Sequence, residues 1–191
     1  MGCQIPFDVV NGVNMNANNS RIIALLSAIV LAAALRLVPH PPNFTPIGAM
    51  ALFSGAYLGR RALGFAAPLC AMALSDALLG FYSGFWITYL AVALIVVIGW
   101  IALSRVTVPR VAGAALASSI LFFLVSNFGT WLMSGMYPHD FAGLTACYVA
   151  AIPFFQNTVA GDLFYATLLF GGLRVAELLL PRLAAGNPQA A

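Results

Sequence analysis

The sequence predicts an all-α integral membrane protein with six transmembrane helices and both termini on the cytoplasmic side. Three observations carry this prediction. Hydrophobic residues make up 62% of the chain, only 8 basic and 5 acidic residues occur in 191, and the basic ones gather in alternate gaps between apolar runs. A mean hydropathy of +0.98 leaves too little polar surface for a soluble domain.

The apolar runs are 22–38, 47–58, 62–81, 86–103, 111–135 and 158–180. Most approach or exceed the ~20 residues that a spanning helix needs. With six spans, Arg21, Arg60 with Arg61, Arg105 with Arg110, and Arg182 all fall on one face, which the positive-inside rule makes cytoplasmic. The opposite gaps, 40–46, 82–85 and 136–144, contain no lysine or arginine. Arg36, near the outer end of the first span, is the discordant basic residue. The expected organisation is a disordered tail over 1–20, one membrane domain over 21–182 and a short tail over 183–191. Arg21 followed by 22–35 imitates a signal peptide, but cleavage would leave five spans and reverse the charge logic. The first 14 residues carry no usable pattern, and Met15 offers an alternative start.

The first run carries Ala24, Ala28 and Ala32 at helical spacing, a stripe that lets helices approach closely. It suits either packing within the bundle or docking of another membrane subunit. The second run has only 12 residues, about 18 Å of helix, and cannot cross a ~30 Å core unaided. Pro39, Pro41, Pro42 and Pro46 precede it and forbid a continuous helix. Irregular backbone at membrane depth must be buried in protein or line a cavity, so the first outer loop, 40–46, is expected to be re-entrant. In the fifth gap, 143–155 is expected to be a short helix lying in the outer interface and ended by Pro153, with Tyr137, Phe141, Tyr148, Phe154 and Phe155 in the aromatic belt.

Asp76 and Asp162 are the sharpest anomalies, because an intramembrane carboxylate costs several kcal/mol unless it is paired or hydrated. Both fall toward the outer side, as does Arg36. Pairing with Arg36 and direct ligand contact are both open readings. His40, Asn43 and Phe44 from the first loop, Tyr82 from the third, and Asn127, Thr130, Trp131, His139, Gln156 and Asn157 around the fifth complete an outward-facing pocket with the mixed walls of a small-molecule site.

Several functions are excluded or disfavoured. The net charge of +3 is spread along the chain, so no nucleic-acid partner is expected. HExxH, GxSxG and Walker A motifs are absent, as is any lysine, which removes a P-loop lysine or a Schiff base; the chain does not read as an enzyme. Cys3, Cys70 and Cys147 are too scattered for a CxxC pair or a disulfide framework. His40 and His139 fit hydrogen bonding better than metal binding.

Four blocks of the sequence carry a family resemblance: RLVPHPPNFTPIGAMALFSGAYLG at 36–59, LCAMALSDALLGFY at 69–82, SNFGTWL at 126–132 and CYVAAIPFFQNTVAGDLFY at 147–165. They look like a group of small bacterial membrane proteins similar to the substrate-binding S-components of energy-coupling factor (ECF) vitamin transporters, including the BtuM-like cobalamin group. The resemblance spans about 22–180. It implies a multi-pass protein of the bacterial cytoplasmic (inner) membrane that takes up a vitamin from outside beneath loops one, three and five. It also implies docking of Ala24, Ala28 and Ala32 on an ECF coupling subunit with its ATPases, or else solitary action. It implies no cofactor of the protein's own, cobalamin (vitamin B12) as the transported ligand, and Cys70 as the axial ligand to its cobalt. A thiolate is a soft ligand suited to a late first-row metal, and Cys70 lies about 9 Å of helix rise below Asp76, as a pocket floor would. Another vitamin or small metabolite as ligand, or a structural or assembly subunit with no ligand, are the competing expectations.

Overall fold

The computed structural model describes residues 7–59, 62–82 and 84–185, and is helical throughout. The helices are α1 (Phe7–Ala34), α2 (Ile47–Leu58), α3 (Ala62–Leu79), α4 (Phe85–Ala102), α5 (Val108–Met133), α6 (Phe141–Ala166), α7 (Gly172–Leu179) and α8 (Pro181–Ala185). A turn of 3-10 helix, Leu35–Leu37, follows α1, and a π-helical turn, Thr167–Gly171, joins α6 to α7. α1 begins at Phe7, within the segment expected as a tail. Cys3 and the Arg60–Arg61 pair lie outside the described residues.

Five helical stretches are long and apolar enough to cross a membrane, namely Ala17–Leu37, Ala62–Leu79, Phe85–Ala102, Val108–Met133 and Phe141–Leu179. Their outer faces carry Ile23, Leu31, Leu74, Leu78, Ile101 and Leu178, each more than 60% exposed. Scattered apolar side chains are normal on any protein, but whole helix faces of them suit lipid as the solvent. The chain is therefore a multi-pass, all-α membrane protein.

The sixth expected span, α2, is too short to cross. It is instead the centre of the bundle: residues 47–56 and Leu58 are all buried. A helix that is hydrophobic all round requires neighbours on every side, and α2 packs against α1, α3, α4, α5 and α6. Met50, Leu52 and Phe53 of α2 join Leu25 and Ile29 of α1, Met72 of α3, and Val92, Ile95 and Val96 of α4 in one continuous core.

The tightest seam joins α2 to α4. A methyl group on Gly55 would strike the carbonyl oxygen of Val96, and one on Gly99 would strike the carbonyl oxygen of Leu52. The two glycines face reciprocal backbones, so the helix axes approach as closely as small residues permit. Ser54 adds a hydrogen bond across the α2–α3 corner, from its Oγ to the carbonyl of Gly64 at 2.7 Å. On α1, Ala32 is buried while Ala24 and Ala28 are half-buried, and Ala28 packs on the core. Part of the alanine stripe is thus spent inside the bundle.

The fifth gap differs from expectation. Pro153 lies inside α6 rather than ending a separate interfacial helix, and the helical path continues from Phe141 to Leu179. At 1.5 Å per residue those 39 residues span about 58 Å, well beyond a ~30 Å core. Contacts from the 147–155 stretch of α6 converge on one short stretch of α5: Cys147 on Asn127, Tyr148 on Leu124, and Phe155 on Phe123. This stretch therefore crosses the C-terminal part of α5, while Asp162 meets Ser119 farther along.

The seam gives a direct prediction. Gly99→Val should cost about 2 kcal/mol or more, because a backbone carbonyl blocks the added atoms and cannot swing aside. Gly113→Ala, with nothing within 4 Å of the added methyl group, should be neutral or slightly stabilising. Thermal unfolding of both variants in detergent checks the contrast.

Candidate functional site

A cavity of about 430 Å³ opens at the end of the bundle formed by the 38–46, 80–84 and 134–140 connections. Its rim carries the exposed residues Asn43, Tyr82, Ser134 and Met136, and its floor the buried residues Gly48, Thr88, Gly129, Thr158 and Asp162. The mouth is thus built from the first, third and fifth connections.

The proline-rich first connection supplies one wall. It cannot continue α1 as a helix, and Asn43 takes a left-handed backbone (φ 63°) to turn it. The Asn157 side-chain amide donates to the carbonyl of Pro42 at 2.9 Å. Phe44 packs between Phe164 and Tyr165, with both centroid distances 5.6 Å. Gly161 lets the backbone at Phe44 and Thr45 pass close over α6.

The floor is the N-terminus of α2. Pro46 occupies its N-cap position and provides no side-chain cap, so the first-turn N–H groups need a partner from elsewhere. Asp162 of α6 provides it: its carboxylate lies against Gly48 and is reached by the Ala49 N–H. Ser119 Oγ donates to Asp162 Oδ2 at 2.6 Å. The carboxylate is 3% exposed and sits at the positive end of a helix dipole, which accounts for its survival at this depth.

Asp76 is satisfied differently. Arg36 Nη2 pairs with its Oδ1 at 2.7 Å, and Tyr89 Oη donates to its Oδ2 at 2.9 Å. Arg36 Nη1 donates to Ser75 Oγ, and more weakly to the Met72 carbonyl at 3.5 Å. The salt bridge weighed for Arg36 in the sequence is present, and Asp76 does not line the cavity.

Of the side chains expected at the site, Asn43, Tyr82, Asn127, Thr130 and Asp162 line the cavity together. His40, Phe44, Trp131 and Asn157 do not, but three of these shape its rim. Phe44 and Asn157 hold the first connection, and Trp131 ties the fifth by donating from Nε1 to the Pro138 carbonyl at 2.8 Å and packing on His139. Cys70, expected as a cobalt ligand at the pocket floor, is exposed on α3 and is not among the residues that line this cavity. Helix geometry gives the reason. Pro68, Ala71, Met72, Ser75 and Asp76 form the buried stripe of α3, and at about 100° per residue Cys70 falls about 120° from Asp76 on the side opposite the centre of that stripe. Among the described residues no three His, Cys, Asp or Glu side chains are grouped to hold a metal ion.

Sequence reasoning missed Thr45, Gly48, Thr88, Ser126 and Thr158 as lining residues, and Ser119 as the partner of Asp162. A signal for part of the set exists. Ser119, Ser126 and Thr130 recur on one face of α5 at i, i+7 and i+11.

The cavity chemistry is dominated by acceptors. Ser126 Oγ donates to the Phe122 carbonyl, Thr130 Oγ1 to Ser126, Thr158 Oγ1 to Phe154, and Asn127 Nδ2 to Phe123. The three hydroxyl hydrogens and one of the two Asn127 amide hydrogens are spent on their own helices, which leaves hydroxyl oxygens, the Asn127 amide oxygen with its second N–H, and the Asp162 carboxylate for an occupant. Tyr82 is the counterweight at the rim. Burial pushes its phenol above the ordinary value despite a hydrogen bond from Thr88, so it keeps its proton at neutral pH.

Two substitutions separate the aspartates. Asp76→Asn should destabilise the protein by about 3 kcal/mol, because the Arg36 charge is left buried without its counter-ion, while the cavity lining stays intact. Gly48→Ala should displace the Asp162 carboxylate and disturb the cavity floor. Thermal unfolding, read beside the chemical shift of a ¹⁵N-labelled Ala49 amide, distinguishes the two effects.

Compared with curated proteins and with solved structures, the chain finds no match in either. Residues 16–183, which include all five membrane-crossing helices and every cavity-lining side chain, match one family, and the chain belongs to it: DUF6580, a family of unknown function.

Proposed function

We propose that the protein is a membrane-embedded binding component for uptake of a small metabolite or vitamin, acting in the manner of an ECF S-component. Its cavity faces the outside of the bacterial inner membrane, and both termini face the cytoplasm. In this reading α2 counts as the sixth membrane element, with the 40–46 loop making up the depth it lacks. The observation that carries the reading is the polar cavity ending at the α2 N-terminus and Asp162, ringed by connections that are free of basic residues from Pro39 to Pro46, from Gly80 to Phe85 and from Ser134 to Asp140.

The acceptor-rich lining favours an occupant rich in N–H donors, such as an amine, an amidine or an amino-heterocycle, neutral or singly cationic. A volume of about 430 Å³ lies at the small end of the usual ligand-site range of about 300–1,000 Å³. That size, and the position of Cys70 outside the cavity, favour a small vitamin or metabolite over cobalamin. No residue set for bond-making chemistry accompanies the lining, so a binding and transport role fits it better than an enzymatic one. A purely structural subunit would suit the Arg36–Asp76 pair, which has its partners within the chain, but gives no use for the open cavity beside it.

The test is a thermal-shift screen of the purified protein against donor-rich vitamins and metabolites, with cyanocobalamin included. A stabilising ligand should lose roughly tenfold or more in affinity in Asp162→Asn or Asn127→Ala, the cost of one charge-assisted or buried hydrogen bond. Cys70→Ala should leave binding unchanged. A hit for cyanocobalamin alone that depends on Cys70 would contradict the small-ligand reading.

A further inference from the structure

A second cavity, about 790 Å³ in volume, lies at the opposite end of the bundle between the start of α5 and the π-turn and α7. Its walls are layered. The deeper part is apolar, with Val111, Leu163, Ala166 and Phe170, while Arg105, Arg174, Thr107 and Glu177 carry its polar groups. Arg105 lies in the turn between α4 and α5, level with helix ends, and Arg174 is 70% exposed on α7. Two cations therefore sit where a membrane gives way to water, above a greasy groove that leads inward.

Among the described residues the charge of this lining is not balanced. Glu177 is the only carboxylate among the described lining residues and is already paired with the buried Arg21 at 2.6 Å, with Arg174 at 3.5 Å. Arg21 lies behind the wall over the Tyr57 ring, and its Nη2 has no hydrogen-bond partner among the described residues. Among these residues three arginines stand against one carboxylate. Arg105 forms no ion pair among the described residues. The first turn of α5, with Thr107 making no side-chain cap, adds the positive end of a 26-residue helix to the same wall.

We infer that this cavity is a binding site for an anionic phospholipid of the surrounding leaflet, with its phosphate held by Arg105 and Arg174 and an acyl chain lying along Val111, Leu163 and Phe170. Guanidinium groups suit phosphate because they are always charged and present paired donors. Basic pockets between membrane helices at this depth are suited to acidic headgroups. The groove gives the tail an apolar bed that a soluble phosphate would leave empty. This site is independent of the outward cavity, and its occupancy does not depend on the identity of any transported ligand.

The experiment uses the full chain reconstituted in vesicles of equal parts phosphatidylglycerol and phosphatidylcholine, released into gentle detergent and measured by native mass spectrometry. The expected result is one retained phosphatidylglycerol per chain in preference to phosphatidylcholine, undisturbed by excess inorganic phosphate. The exposed pair Arg105→Gln with Arg174→Gln should reduce retention roughly tenfold or more, whereas Arg110→Gln, outside the lining, should not. Ala112→Phe, which fills the groove without touching charge, should also lower retention. Equal retention of both lipids, unchanged retention in the double variant, or displacement by inorganic phosphate would each overturn the assignment.

Discussion

The close backbone approach of α2 and α4 at Gly55 and Gly99 is the contact on which the rest of the structure depends. It places a 12-residue apolar helix in the middle of the bundle instead of at its edge. A helix that short leaves both ends inside the protein, and each end becomes the wall of a cavity. The N-terminus at Gly48 floors the polar cavity, and the C-terminal Tyr57 borders the arginine-rich one. Short central helices are costly in lipid because their terminal N–H groups have no water to turn to. The carboxylate of Asp162 answers that cost at one end.

The charged residues within the bundle fall into two kinds. Arg36 with Asp76, and Arg21 with Glu177, are ion pairs that tie distant segments together: Arg36 joins the end of α1 to α3, and Arg21 joins α1 to α7 and, through the Leu183 carbonyl, to α8. Asp162 differs because it forms no ion pair among the described residues and lines the polar cavity while serving as a helix cap. A group that holds the fold at its back and faces a cavity at its front is well placed to report occupancy to the helices around it.

Much of this was legible in the sequence. The sparse, alternating arginines announced a multi-pass protein, the short second run announced that something unusual must complete it, and the matched depth of Arg36 and Asp76 foreshadowed their pair. Asn43, Tyr82, Asn127, Thr130 and Asp162 were found because polar residues near helix ends converge once the helices pack antiparallel. What failed was information about faces and partners. Cys70 was placed by depth alone, although the spacing of Pro68, Ala71, Met72, Ser75 and Asp76 sets it opposite the centre of the buried stripe of α3. Pro153 read as a terminator, yet the neighbouring turns of α6 carry the helix through it. The reciprocal glycine seam, the trans-capping of α2 by Asp162 and the Arg21–Glu177 pair join segments far apart in the chain, and no local pattern encodes which helices will meet.

The most direct test of the account is the accessibility of the polar cavity from one side of the membrane. With Cys3, Cys70 and Cys147 replaced by alanine, Ser126→Cys places a single thiol on the cavity wall. Labelling by a membrane-impermeant thiol reagent should then occur in intact cells, and in inverted vesicles only weakly. Labelling from the arginine-bearing side alone, or from neither side, would contradict an outward-opening binding cavity.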